Sequence, residues 1–209
     1  MASKSEKTRK RILDAAASVL SQRGYAGMRL GEVAQVAGVQ APAIYYYFAS
    51  RDELVEEVMW AGAHDVRIHV EEAVAALPDG TAPLDRIMTA VDAHLRYELE
   101  ISDYATASIR NARHVPEALR DRPAAEESLY SHFWRDLFEA AKKEGTIRDD
   151  LDATTFRMLL LGAMNWVVEW WRPETRGLDE VIAVAQDMVR RTVTDQEVRD
   201  PGRGRRSLS

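Results

Sequence analysis

The chain has 209 residues and a formal net charge of −6; 46% of its residues are hydrophobic and 30% charged, an ordinary balance for a globular protein. It has no cysteine, which excludes disulfides, thiolate catalysis and cysteine-ligated metal. The opening Met-Ala-Ser-Lys-Ser-Glu-Lys is polar, unlike a secretory signal, and the most apolar run, Met158 to Val168, is 11 residues, against the about 20 a bilayer span needs. No membrane partner is therefore expected, and the cytoplasm is the expected location.

Helical periodicity dominates from the start. Ile12, Ala15, Ala16, Val19 and Leu20 fall at 3.6-residue spacing, and Gly24 stands where a helix C-terminal cap is wanted. Two short helices are predicted over 29–36 and 40–47, separated by Ala37-Gly38-Val39. Ser50-Arg51-Asp52-Glu53 reads as a capping box that opens a long helix ending at Pro78-Asp79-Gly80. Further helices are predicted over 84–100 and 103–112. Pro116 and Pro123 bracket a short turn, and a helix through Tyr130 and Trp134 follows, ending at Gly145. Asp152 caps an eighth helix reaching Trp171, and a ninth covers 178–194. No stretch alternates as a strand would, so the fold class is all-α. The tail 199–209, rich in Arg, Gly, Ser and Pro, is expected to be disordered.

Charge is unevenly distributed. Residues 1–51 hold eight Lys/Arg against three Asp/Glu, a balance of +5, while the remainder balances to −11. Such a basic end on an acidic body is either a solvated arm or a contact for a polyanion. The two short helices within it have the grammar of a helix-turn-helix. Val33, Ala34, Ala37, Val39, Ile44 and Phe48 can face a core, Gly38 supplies the positive φ of the turn, and Pro42 falls in a first turn, where it is tolerated. The outward face of the second helix carries Gln40, Ala41, Ala43, Tyr46 and Tyr47, an amide, small groups and aromatics suited to base edges and thymine methyls.

Residues 8–55 resemble the N-terminal domain of the TetR/AcrR family of transcriptional regulators. The resemblance rests on Arg11-Ile12-Leu13-Asp14-Ala15-Ala16, Gly24-Tyr25, Gly31-Glu32-Val33-Ala34, Ala37-Gly38-Val39, Ile44-Tyr45-Tyr46-Tyr47-Phe48 and Ser50-Arg51-Asp52-Glu53-Leu54, spaced without gaps. It implies a helix-turn-helix DNA-binding domain over 1–50 and a helical ligand-binding and dimerisation domain over 51–198. The implied partners are a double-stranded DNA operator, a small apolar effector and a second copy of the chain. Tyr45 resembles the tyrosine, and Arg51 the basic residue, that meet backbone phosphates; Gln40, Ala41, Ala43 and Tyr46 occupy base-facing positions. Two departures stand out. Met28-Arg29 replaces the hydroxyl residue that usually caps the second helix, which frees Arg29 for a phosphate. Gln40-Ala41-Pro42 replaces the usual Ser-Lys-Gly or Ser-Arg-Gly, which leaves the operator sequence open.

In the body, the eighth helix is apolar on nearly every side, so more than one of its faces must be covered. The resemblance implies a two-fold interface from the eighth and ninth helices, with Trp166, Val167, Trp170, Val181, Ala185 and Met188 as candidate contacts. Trp60, His64, Tyr97, Tyr104, Tyr130, Trp134 and Asn165 are candidate ligand-binding residues. Asn165 leads the set because a buried amide needs a partner. The run from Asn165-Trp166 to Trp171-Arg172-Pro173 resembles members that sense acyl or acyl-CoA compounds.

Enzyme readings find little. No nucleophile elbow, phosphate loop or His-Glu-x-x-His is present, and no cofactor is expected. His69 and Glu72, or His94 and Glu98, have helical spacing that suits either a metal or solvated neighbours. The expectation is a ligand-responsive transcriptional repressor rather than an enzyme. The alternatives are a helical metal-dependent hydrolase, which needs carboxylates converging in a bundle core, and a DNA-binding adaptor without an effector.

Overall fold

A computed structural model describes residues 3–101 and 103–194. Among them are nine α-helices and no strand: α1 (Lys4–Gly27), α2 (Leu30–Ala37), α3 (Ala41–Ile44), α4 (Arg51–Ala75), α5 (Pro83–Arg96), α6 (Asp103–Asn111), α7 (Asp121–Lys143), α8 (Ala153–Trp170) and α9 (Leu178–Val193). A π-helical turn, Tyr97–Ile101, continues α5, and a 3₁₀ turn, Glu117–Leu119, precedes α7. The tail expected to be disordered, 199–209, lies outside the described residues, as does the end of the segment expected over 51–198. No helix among the described residues is long and apolar enough to cross a membrane.

Local chemistry accounts for the element ends. Ser3 and Glu6 form a full reciprocal capping box at the start of α1. The Ser50 hydroxyl accepts from the Glu53 N–H at 3.0 Å, but the Glu53 carboxylate reaches back to the Ala49 N–H, one residue earlier than the expected box. Asp152 accepts from the N–H groups of Thr154 and Thr155, and those bonds hold its carboxyl below the usual range. Gly24 has a positive φ of 68°, but with ψ at 171° it kinks α1 rather than ending it, and one more turn runs to Gly27. Gly38 caps α2 in the left-handed conformation, as its place in the turn requires.

The largest departure from expectation is α3. Only Ala41 to Ile44 are α-helical; Tyr45 to Tyr47 continue as tight turns in which Tyr46 N–H bonds Ala43 O and Tyr47 N–H bonds Ile44 O. The Phe48 N–H then bonds Ile44 O at 3.0 Å and closes the segment; Pro42, in the first turn, costs it no bond.

The buried apolar residues divide into two clusters. The first, the head, comprises Ile12 to Leu20 of α1, Met28, Val33, Ala34, Ala37, Ile44 and Phe48, and takes in Leu54, Val55, Val58 and Met59 of α4. It also includes Ala107 of α6, Val115 and Leu119. The second, the body, runs from Val66, Val70 and Val74 of α4 through α5, α7, α8 and α9. The handover therefore falls inside α4, between Met59 and Val66, past the expected division at residue 50.

Helix α6 ties the two together. The Tyr104 hydroxyl donates to Asp14 of α1 at 2.7 Å, and burial together with that carboxylate pushes its pKa upward. Asn111 accepts from the Tyr25 N–H at 2.8 Å and donates to Leu20 O, bracketing the kink at Gly24. At Gly62 a Cβ would lie 2.3 Å from Tyr104 O, so α4 and α6 approach as closely as a bare backbone allows.

Candidate functional site

Two sites emerge, one on each cluster. On the head, Val33, Ala34, Ala37, Ile44 and Phe48 are buried, and this fixes which side of α2 and α3 faces out. Tyr45 and Tyr46 are 59% and 81% exposed, and Gln40, Pro42 and Arg29 are also exposed. Arg29 is the N-cap residue of α2 and makes no side-chain cap bond, consistent with the missing hydroxyl. Ala41, Ala43 and Tyr47 are half-buried, and Ala41 and Tyr47 pack on the head core. Tyr47 meets Tyr46 edge-on with ring centroids 5.0 Å apart. Of the face expected from sequence, Gln40, Tyr45 and Tyr46 thus project furthest, while Tyr47 supports them.

Arg51 departs from its expected place. Its guanidinium lies 4.2 Å over the Tyr25 ring and donates to Met28 O, to Tyr25 O and to Asp52. It fastens the α1–α2 junction to the start of α4 instead of projecting outward. The physical reason is the pair of carbonyls left open where α1 ends, which a planar fork of donors satisfies. Around the head, Lys4, Lys7 and Arg11 are exposed, whereas Arg9 is held by Glu57 at 3.1 Å over the Phe48 ring.

In the body, a cavity of about 500 Å³ opens between α4, α5, α6, α7 and α8. Gly62, Ala63 and Val66 form its α4 wall, Ala105, Ser108 and Ile109 its α6 wall, and Met158, Leu161 and Gly162 its α8 wall. Of the seven residues expected at a ligand, Tyr130 and Asn165 line it. The other five do not. Trp60 stacks on His64 and lies under Arg122, and His64 sits beside Glu126, so both belong to the outer seam of α4 and α7. Tyr97 packs against His69, Tyr104 binds Asp14, and Trp134 is fully buried behind Tyr130.

Two lining residues whose spacing suited either a metal or solvated neighbours are neither exposed nor, among the described residues, part of a three-residue cluster: His94 and Glu98 are 1% and 4% exposed. His94 Nε2 lies 3.1 Å from Glu98 Oε1, and His94 Nδ1 lies 2.9 Å from the Tyr130 hydroxyl. Burial raises the Tyr130 pKa well above its ordinary value, so the phenol keeps its proton. The missed signal was the stripe on which His94 sits: Ile87, Ala90 and Val91 precede it by seven, four and three residues, and all are buried. Among the described residues no three His, Asp or Glu side chains converge on a metal position.

The sequence comparisons bear on both sites. Residues 12–58, the head, match the family described as bacterial regulatory proteins, tetR family, and residues 80–193, more than half the chain, match the tetracyclin repressor-like C-terminal domain. The chain belongs to the tetR family. As a member of it, the chain is a DNA-binding regulator of transcription. Over 170 residues it is 29% identical to the HTH-type transcriptional repressor KstR2 of Rhodococcus jostii, covering 79% of this chain and 80% of that one. Over 53 residues, 25% of each chain, it is 42% identical to the regulator AcrR of Shigella flexneri. Among solved structures, KstR2 of Mycobacterium tuberculosis superposes with a TM-score of 0.78 at 19% identity, covering 90% and 95% of the two chains. AibR in complex with isovaleryl coenzyme A and operator DNA gives the same score at 21% identity, covering 90% and 100%.

A tetR-family body also presents a third surface. One side of α8 (Leu160, Met164, Val167, Val168) is buried in its own domain, while Met158, Leu159, Trp166 and Trp170 on the other are 46–68% exposed. Val184 and Met188 of α9 are 62% and 40% exposed. Val167 and Val181, expected at a subunit contact, are instead 6% exposed within the subunit, at the base of a groove that Trp170, Val184, Ala185 and Met188 edge.

Proposed function

We propose that the chain is a ligand-responsive repressor. It binds a two-fold symmetric operator as a homodimer through α8 and α9, and a small, largely apolar effector in the α4–α8 cavity releases it. The observation that carries this reading is the double use of α6. Ser108 and Ile109 of that helix line the cavity, while Tyr104 and Asn111, on the face that Ser108 adjoins, hold Asp14, Leu20 and Tyr25 of α1. A ligand that displaces α6 therefore works directly on the head. Because α4 runs from Arg51 to the cavity wall at Gly62 and Val66, tilting it carries the reading face as well.

Gln40, Ala41, Ala43 and Tyr46 are assigned to base edges, Tyr45 and Arg29 to phosphates, and Tyr47 to support of the face. Exposed tryptophans on a helix whose opposite side is already buried support a second copy as the partner of α8, since such side chains gain most when an interface closes over them. Acyl and acyl-CoA compounds are the first effector class to try: the likeness of the α8 ending suggests them, and AibR, a structural neighbour, was solved with isovaleryl coenzyme A.

The test is linkage in the full-length dimer. Operators selected from random duplexes should be near-palindromic, because two-fold protein symmetry imposes it. An effector that weakens operator binding by a given factor must bind the operator complex more weakly by the same factor. A monomer in sedimentation at operator-binding concentrations, or equal ligand affinity with and without operator, defeats the reading.

A further inference from the structure

The His94–Glu98–Tyr130 cluster asks more of an effector than apolarity. The Tyr130 phenol, which keeps its proton, lies 2.9 Å from His94 Nδ1; with the phenol as donor, the imidazole proton stands on Nε2. Nε2 touches Glu98 Oε1 at 3.1 Å but is poorly aligned for a hydrogen bond, and neither His94 Nε2 nor Glu98 Oε2 has a hydrogen-bond partner. Both side chains are more than nine-tenths buried and both line the cavity. Buried polar atoms are almost always satisfied, and a site that leaves some open is one a ligand can complete. The π-helical turn Tyr97–Ile101 carries Glu98, and such turns recur where a side chain is re-aimed for function.

We propose that the effector presents a neutral hydroxyl at its buried end, donating to Glu98 Oε2 and accepting from His94 Nε2–H. This rests on the effector-cavity reading above and specifies its chemistry. A hydroxyl is a donor and an acceptor on one atom, which matches the two open groups. A carboxylate brings no donor and meets the Glu98 carboxyl, and a hydrocarbon end brings neither. The guanidinium among the lining residues belongs to Arg113, which is exposed, so an anionic group of the ligand belongs at the mouth. An acyl compound qualifies when its buried end carries a hydroxyl.

The experiment uses three probes with one carbon skeleton, 2-naphthol, naphthalene and 2-naphthoate, in equilibrium dialysis against the full-length chain. Wild type should hold 2-naphthol about tenfold or more tighter than either of the others, because a site built for a hydroxyl rejects the analogue without it. Glu98→Leu should bring 2-naphthol and naphthalene level. Glu98→Gln keeps a carbonyl acceptor and adds a donor, so it should retain part of the 2-naphthol preference and gain affinity for 2-naphthoate. If Glu98→Leu does not fold, the wild-type ratio and Glu98→Gln decide. Equal binding of 2-naphthol and naphthalene by wild type, an unchanged preference in Glu98→Leu, or no binding of any probe overturns the proposal. A preference for 2-naphthol that leaves duplex affinity untouched sustains the hydroxyl site and counts instead against the effector reading.

Discussion

The head and the body bury different things. The head core is apolar: Ile12, Leu20, Met28, Ile44, Phe48 and Leu54 are almost fully enclosed, and the charged and aromatic polar groups lie outside it. The body encloses His94, Glu98 and Arg157 among its apolar residues and surrounds a cavity of about 500 Å³. Arg157 is satisfied by the Ser131 carbonyl and hydroxyl, whereas His94 and Glu98 keep an open atom each. A close-packed core resists partial deformation and moves as a block. A core with a void and open polar groups has binding energy in reserve, and a ligand can draw on it to favour one arrangement over another. On the proposed function, reading falls to one region and sensing to the other, with α6 and the middle of α4 as the joint.

The largest effect should come from breaking the head core. Phe48 is 1% exposed, and Phe48→Ala should cost about 3–5 kcal/mol, the range for a buried aromatic truncated to alanine. Since the two cores are separate clusters, the head should melt first, giving two transitions in calorimetry and abolishing duplex binding while the dimer persists in sedimentation. A single transition, merely shifted, would show that head and body unfold as one unit and that the division between them is only geometric.

The joint comes next. A Cβ at Gly62 would stand 2.3 Å from Tyr104 O and 2.8 Å from the Ser108 Cβ, so Gly62→Ala must part α4 from α6. Overpacking of this kind costs about 1–3 kcal/mol. The loss of stability should be smaller than in Phe48→Ala, yet operator affinity should change in a protein whose head core is intact. An unchanged operator affinity alongside a lowered melting temperature would remove the α4–α6 contact from the coupling route.

The two regions also differed in how much of them the sequence disclosed. In the head the deciding contacts are local. The spacing of Val33, Ala34, Ala37, Ile44 and Phe48 was enough to orient both short helices, because residues a few positions apart share a face. In the body, what lines the cavity depends on which side of α4 meets α7, a long-range choice. Trp60 and His64 had the composition of a pocket but fell on the seam with Arg122 and Glu126. Tyr130 and Asn165 fell inside. The i,i+4 spacing of His94 and Glu98 suited either a metal or a solvated pair; only the apolar stripe behind His94 marked them as enclosed. The exposure of Trp166 and Trp170 depends on where α9 lies, which no window along α8 reveals.

The smallest expected effect sharpens the head itself. Sequence likeness assigns Arg51 to a phosphate, whereas in the folded chain its guanidinium is spent on Met28 O, Tyr25 O, Asp52 and the Tyr25 ring. The two roles differ in what salt does to them. A residue that neutralises a phosphate contributes about 0.9 to the log–log salt slope of duplex binding, whereas one that closes a helix junction contributes to stability and leaves the slope alone. Arg51→Ala should therefore lower head stability by about 1–2 kcal/mol, the scale of a charged group's hydrogen bonds together with a cation–π contact. The salt slope should stay at the wild-type value. Arg51→Lys keeps the charge but loses the planar fork, so it should behave like the alanine variant in melting. A slope shallower by about 1.8, that is about 0.9 for each head of the dimer, with unchanged melting would return Arg51 to the DNA, and would mean that the junction between α1 and α4 opens when the head docks.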